Sequence, residues 1–174
     1  PRHCALSEGQ TGFCRARVMR NGKSEPLGYG KLNAIALDPI EKKPLARFYP
    51  GSRILSVGSF GCNMSCYFCQ NHEISQMPRE QGRIAGRERT ATEIVAQAVR
   101  SGSKSIAYTY TEPTVFLEFI LETAGMAKEK GLKNVFVTNG YMTPEALSRM
   151  APCLDAANVD LKSFRDRFYR EQCG

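Results

Sequence analysis

Apolar and polar positions fall into two alternating rhythms along residues 51–174. Ile54-Leu55-Ser56-Val57-Gly58 is a short, mostly apolar run closed by glycine, which reads as a buried strand. Ser105-Ile106-Ala107-Tyr108-Thr109-Tyr110, Asn134-Val135-Phe136-Val137-Thr138 and Ala156-Ala157-Asn158-Val159-Asp160-Leu161 repeat the pattern and predict three more strands. Between them the period lengthens to that of a helix. Thr90-Ala91-Thr92-Glu93 has the form of a capping box, ahead of Ile94, Val95, Ala98 and Val99 at helical spacing. Val115, Phe116, Phe119, Ile120, Ala124 and Ala127 trace one face of a second helix that stops at Gly131. Thr143-Pro144 is a cap followed by a first-turn proline, and Ala146, Leu147 and Met150 give a third helix its apolar side.

Strand and helix thus alternate with short connections, the order expected of parallel strands joined by helical crossovers. An open doubly wound sheet and a (β/α) barrel share that order, and both collect chemistry at the C-terminal ends of their strands. Four strands do not close a barrel. Residues 1–50 have a different texture. Gly9, Gly12, Gly22, Gly28 and Gly30, with Pro26, Pro39, Pro44 and Pro50, interrupt short apolar runs such as Leu32-Asn33-Ala34-Ile35-Ala36-Leu37. That punctuation predicts hairpins and loops. The expected organisation is an irregular N-terminal extension, 1–50, on an α/β core, 51–174.

Composition narrows the class without naming a function. The 174 residues, 42% apolar and 24% charged, suit one globular domain and exclude a collagen-like or wholly disordered chain. No run approaches the length of an apolar membrane span. Pro1-Arg2-His3-Cys4 lacks a signal pattern, so a cytoplasmic location is expected. The formal net charge of +7 favours acidic partners. Lys42 and Lys43, or the stretch holding Arg79, Arg83, Arg87 and Arg89, are candidates to face one. With Glu80 and Glu88 interspersed, those arginines also read as a solvated loop. No nucleic-acid-reading signature accompanies them, and nucleic acid is not an expected partner.

The cysteines change the picture most: Cys4, Cys14, Cys62, Cys66, Cys69, Cys153 and Cys173. Without a secretory pattern, metal or redox chemistry accounts for them better than disulfides. Cys62-Asn63-Met64-Ser65-Cys66-Tyr67-Phe68-Cys69 has the spacing C-x3-C-x2-C. Three thiolates so close can hold an iron–sulfur cluster and leave one iron with an open coordination position. The same three could hold zinc together with His72, or be plain buried thiols. Cys4 and Cys14 are half a metal site at most. Cys153 reads as a small buried hydrophobe.

The run Cys62 to Cys69, placed after the first strand of a βα series, resembles the cluster-binding signature of the radical S-adenosylmethionine (SAM) superfamily. Tyr110-Thr111-Glu112-Pro113 is similar to the family's Gly-Gly-Glu-Pro element, with Tyr110 and Thr111 in place of the glycines. Thr138-Asn139-Gly140 and Asp160-Leu161-Lys162 resemble elements of the glycyl-radical-enzyme activases, such as the activator of pyruvate formate-lyase. His3-Cys4, Cys14-Arg15, Asp38-Pro39-Ile40-Glu41-Lys42-Lys43-Pro44-Leu45, Pro50-Gly51 and Cys69-Gln70-Asn71 look like the AmmeMemoRadiSam-system radical SAM enzymes. Relative to that group, an upstream Cys-x-x-Cys and two further βα units are expected to be missing.

The resemblance implies a partial (β/α) barrel of about four βα units carrying a 4Fe–4S cluster on Cys62, Cys66 and Cys69. It implies S-adenosyl-L-methionine bound at the open iron, with Phe68 near the adenine and Thr111, Glu112, Thr138, Asn139, Asp160 and Lys162 positioning the rest. The activity implied is reductive cleavage of SAM to methionine and a 5′-deoxyadenosyl radical that abstracts hydrogen. A flavodoxin- or ferredoxin-like electron donor and a glycine in a partner protein follow as expected partners. Each residue also has a plainer reading: Glu112 as a first-turn charge, Asn139-Gly140 as a turn, Asp160 and Lys162 as a structural pair on one strand face. The rival class is a non-catalytic metal-stabilised module.

Overall fold

The computed structural model describes residues 2–174. In chain order the elements are β1 (Arg17–Arg20), β2 (Lys23–Pro26), β3 (Lys31–Leu32), β4 (Ala34–Pro39) and β5 (Arg53–Gly58), then the short helices α1 (His72–Ser75) and α2 (Met77–Glu80) and strand β6 (Arg87–Glu88). There follow α3 (Ala91–Arg100), β7 (Ser105–Tyr108), α4 (Leu117–Glu129), β8 (Lys133–Thr138), α5 (Pro144–Met150), β9 (Ala156–Val159) and α6 (Asp166–Phe168). The sheet order β4-β5-β7-β8-β9 follows the chain. β5, β7, β8 and β9 are parallel, and β4 is antiparallel to β5 from Ala34 opposite Gly58 to Pro39 opposite Arg53.

Which faces are apolar decides between the two architectures. Leu55, Val57, Ile106, Tyr108 and Phe136 pack on Ile94, Val95 and Ala98 of α3, Phe119, Ile120, Ala124 and Ala127 of α4, and Met150 of α5. All three long crossovers therefore lie on one face, as in a barrel wall, and the strand order never reverses. The molecule is a mixed α/β partial barrel. The opposite, concave face carries Ile54, Ala107 and Val135, covered by Ile40, Leu45 and Phe48.

Two helices, α3 and α5, start where the sequence places their caps, while α4 starts at Leu117, after a 3-10 turn Pro113–Phe116 that holds Val115 and Phe116. Thr90 Oγ accepts from Glu93 N at 3.2 Å while Glu93 accepts from Thr90 N at 2.9 Å, the reciprocal capping box. Thr143 Oγ1 accepts from Ala146 N at 3.3 Å, with Pro144 in the first turn. Gly131, at φ +73°, follows the end of α4. The N-terminal segment holds the hairpin β1–β2, whose turn residues Asn21 and Gly22 both take positive φ, as a tight two-residue turn requires. Its run Ala34–Pro39, however, is a full edge strand of the main sheet. The parallel strands end earlier than their apolar runs: Tyr110, Asp160 and Leu161 lie beyond β7 and β9.

Candidate functional site

Gly61 opens the cysteine loop at φ +86°, and a Cβ there would meet Ala16 Cβ at 2.6 Å, so only glycine lets the loop leave β5 against the N-terminal segment. The loop turns tightly, with Cys69 N donating to Cys66 O at 3.2 Å and His72 N to Cys69 O at 3.2 Å. Cys66 is buried and Cys62 and Cys69 are half-buried, all in one apolar cluster with Met64, Tyr141, Phe168, Tyr169 and Cys173. Cys62 Sγ accepts from Met64 N at 3.4 Å and from Asn139 Nδ2 at 3.6 Å, and Cys69 Sγ lies 3.4 Å from Ser75 Oγ. Burial pushes the Cys62 thiol up to about 12. Burial, then the hydrogen bond with Cys173, does the same to Cys66.

Among the described residues no three His, Cys, Asp or Glu side chains converge on a single metal ion. The donor set of three thiols on one loop is that of an iron–sulfur cluster, not of a hard cation, so the residues fit the group. His72 Nε2 pairs with Glu80 Oε1 at 2.8 Å. Cys4 is exposed and its Sγ accepts from Phe13 N at 3.4 Å. It lines a cavity of about 420 Å³ with Cys14 and Asn63. Cys153 is half-buried, with its Sγ donating to Met150 O at 3.1 Å.

The other singled-out residues divide into two groups. Glu112 is 2% exposed, and its carboxylate accepts from Thr138 Oγ1 at 2.8 Å, Asn139 N at 2.9 Å, Thr114 Oγ1 at 3.0 Å and Thr114 N at 3.2 Å. Three of these donors meet Oε1 and one meets Oε2, so Glu112 ties the end of β7 to the end of β8 and keeps an acceptor position on Oε2. Its burial raises the carboxyl, against the pull of those hydrogen bonds. Thr111 donates to Ser59 O at 3.2 Å and is likewise buried. Thr111, Glu112 and Thr138 are buried and tie the strand ends together. Phe68, Asp160 and Lys162 are the more open groups, whereas Asn139 spends its amide hydrogens on Cys62 Sγ and Asn63 Oδ1 and accepts from Tyr141 N at 2.8 Å. Phe68 is 40% exposed. Lys162 pairs with Asp160, and its Nζ lies 5.9 Å from the Phe68 ring centroid. Burial lowers the Lys162 ammonium, but the hydrogen bond and charge of Asp160 raise it overall.

Three features of the site have no clear signal in the sequence. Asn63, buried, donates to Tyr141 O at 2.6 Å and accepts from Asn139 Nδ2 at 2.8 Å, fastening the cysteine loop to the end of β8. Cys173 joins the three cysteines from the far end of the chain. Lys43, expected to face an acidic partner, is instead buried against Asp38 at 2.9 Å. Asp38 also accepts from Lys42 Nζ at 2.9 Å, Ser56 Oγ at 2.8 Å and Tyr110 OH at 2.8 Å. The apolar surroundings of Lys43 demand a counter-charge, and only the fold brings one.

Residues 56–174 match the family model of the Radical SAM superfamily, and the chain belongs to that superfamily. It is 47% identical over 173 residues to an uncharacterised protein of Methanocaldococcus jannaschii, covering 99% of this chain and 50% of that protein. It is 32% identical over 115 residues to 7-carboxy-7-deazaguanine synthase of Methanothermobacter thermautotrophicus, covering 64% of this chain and 42% of that protein. The solved structure of QueE from Escherichia coli is similar at TM-score 0.46 and 15% identity, over 63% of this chain and 52% of that chain. The chain spans about half the length of these curated relatives.

Proposed function

We propose that Cys62, Cys66 and Cys69 hold a 4Fe–4S cluster and that S-adenosylmethionine binds beside it, against Phe68, Asn139, Asp160 and Lys162. The observation that supports this is the gathering of three thiols with one half-exposed aromatic ring and one acid–base pair past the ends of four parallel strands. When bound, the cluster supplies the electron that cleaves SAM to methionine and a 5′-deoxyadenosyl radical able to abstract hydrogen. The chain's own part is binding and orientation. Lys162 offers an ammonium to the SAM carboxylate, Asp160 a carboxylate to its amino group, and Phe68 a ring to its adenine. Thr111, Glu112 and Thr138 keep these groups in place by fixing the strand ends. Because Cys62 and Cys66 are protonated thiols at neutral pH, cluster uptake releases protons.

The hydrogen donor we propose is a glycine of a partner protein, on the activase-like elements Thr138-Asn139-Gly140 and Asp160-Leu161-Lys162. A second reading, a small heterocyclic substrate, is favoured by the likeness to 7-carboxy-7-deazaguanine synthase. An acidic one-electron carrier of the flavodoxin or ferredoxin type suits the formal charge of +7.

Anaerobic reconstitution with iron and sulfide, followed by electron paramagnetic resonance of the reduced protein, tests the reading. The expected result is a cluster signal that changes when SAM is added, and loss of the 4Fe–4S signal in Cys69→Ala. Uptake of zinc without iron or sulfide would replace the reading with a metal-stabilised module.

A further inference from the structure

Four cysteines, not three, meet at this site. Cys173 is 1% exposed and sits in the same apolar cluster as Cys62, Cys66 and Cys69. The segment that delivers it is laced to the cysteine loop on both sides of Cys66: Ser65 N donates to Cys173 O at 2.7 Å and Tyr67 N to Gln172 O at 3.3 Å. Phe168, earlier in that segment, packs on Phe68 with ring centroids 5.7 Å apart. Cys62 and Cys69 have nitrogen or oxygen partners, Met64 N and Asn139 Nδ2 for one and Ser75 Oγ for the other. Cys66 is the member of the loop that the backbone bonds of Ser65 and Tyr67 set directly against the Cys173 segment.

We propose that Cys66 and Cys173 are a redox couple: without a cluster they close to a disulfide in the presence of a low-molecular-weight disulfide, and the loop takes up iron only after that bond is reduced. The second half rests on the reading of Cys66 as a cluster ligand. In the oxidation, one protein thiolate attacks the small disulfide RSSR and expels RS⁻. The other then attacks the mixed disulfide at the protein sulfur and expels the second RS⁻. Two protein thiols become one disulfide, RSSR becomes two RSH, and the two thiol protons pass to the leaving groups. Both residues are under a tenth exposed. The first attack therefore begins from a transiently opened 166–174 segment, and the reaction is slow beside that of a surface thiol. Once formed, the bond removes a thiolate from the C-x3-C-x2-C set and pins the segment over the loop.

The test uses the iron-free chain incubated with oxidised glutathione, alkylated with N-ethylmaleimide and mapped by mass spectrometry without reduction. The expected product is a Cys66–Cys173 linked peptide as the principal disulfide. Oxidised chain should then take up several-fold less iron and sulfide than reduced chain, with dithiothreitol restoring uptake, while glutathione-treated Cys173→Ser keeps most of its uptake. Linkage confined to Cys62, Cys66 and Cys69, or a Cys173 still free to alkylate, overturns the couple. Linkage with undiminished cluster uptake overturns the gating. If the linked peptide forms but the reduced chain assembles no iron–sulfur cluster, the couple stands and the radical SAM reading fails. The mapping needs no variant, so it decides the matter even if Cys173→Ser does not fold.

Discussion

Asp38 Oδ2 accepts from Lys43, Ser56 and Tyr110, and Oδ1 from Lys42, so one carboxylate joins β4, β5, the turn after β4 and the residues past β7. Burial raises the carboxyl, but these donors outweigh it and hold it well below the usual carboxylate range. A group with a depressed folded value stabilises the fold fully above its unfolded value, near pH 3.8 here, and loses that contribution as pH falls further. Asp38→Asn leaves the Lys43 ammonium, 3% exposed, without a counter-charge, and breaking such a buried pair costs about 3–5 kcal/mol. Urea unfolding should show that deficit at pH 7 and a deficit that begins to shrink below pH 3.8 and goes on shrinking as pH falls further. A deficit independent of pH would mean that Asp38 is not ionised in the fold. The same network shapes the site, because Tyr110 takes φ +68° directly before Thr111 and Glu112.

Among the elements, α3 depends most visibly on its first turn. Thr90 and Glu93 exchange two hydrogen bonds at its N-terminus, and the helix then buries Ile94, Val95 and Ala98 against β5 and α4. Thr90→Ala removes one cap and should cost about 1 kcal/mol, lowering the melting temperature by about 2–4 °C for a chain of this size. Thermal unfolding followed by circular dichroism measures the shift. Iron uptake should be unchanged, because α3 touches the wall of the barrel and not the cysteine loop. A loss of uptake in Thr90→Ala would place α3 in the support of the site.

The whole molecule is held together at its N-terminal end by Arg17. Its guanidinium meets both oxygens of Glu118 at 2.8 Å and Val115 O at 3.1 Å, clamping the β1–β2 hairpin to the start of α4. Charge-assisted bonds of this bidentate kind contribute about 1.5–3 kcal/mol each when partly buried. Arg17→Met should free the hairpin, so that limited proteolysis cuts within residues 2–26 several-fold faster while the sheet core stays protected. Equal protection in the variant would mean that the apolar contacts of Ala16 and Val18 hold the hairpin by themselves. No helix of the described chain is long and apolar enough to cross a membrane.

The local pattern of the sequence determined the parallel strands β5, β7, β8 and β9, the three long helices and the caps of α3 and α5, because periodicity and capping act over a few residues. It also made the C-x3-C-x2-C loop legible, since three donors within one turn are a local arrangement. Tertiary structure decided what depends on residues far apart. Apolar side chains on both faces of a strand do not reveal which face takes the helices, and packing put all three on one, making a barrel wall. Ala34–Pro39 became a sheet strand because the edge of β5 offered it hydrogen bonds that no local signal announces. Lys43 turned inward because Asp38, Ser56 and Tyr110 converge on one buried point. Cys173 reached Cys66 because the chain returns over the loop after β9. Glu112 became a clamp for the same reason: its four donors come from Thr114, Thr138 and Asn139, and only the closing of β7 against β8 brings the last two within reach.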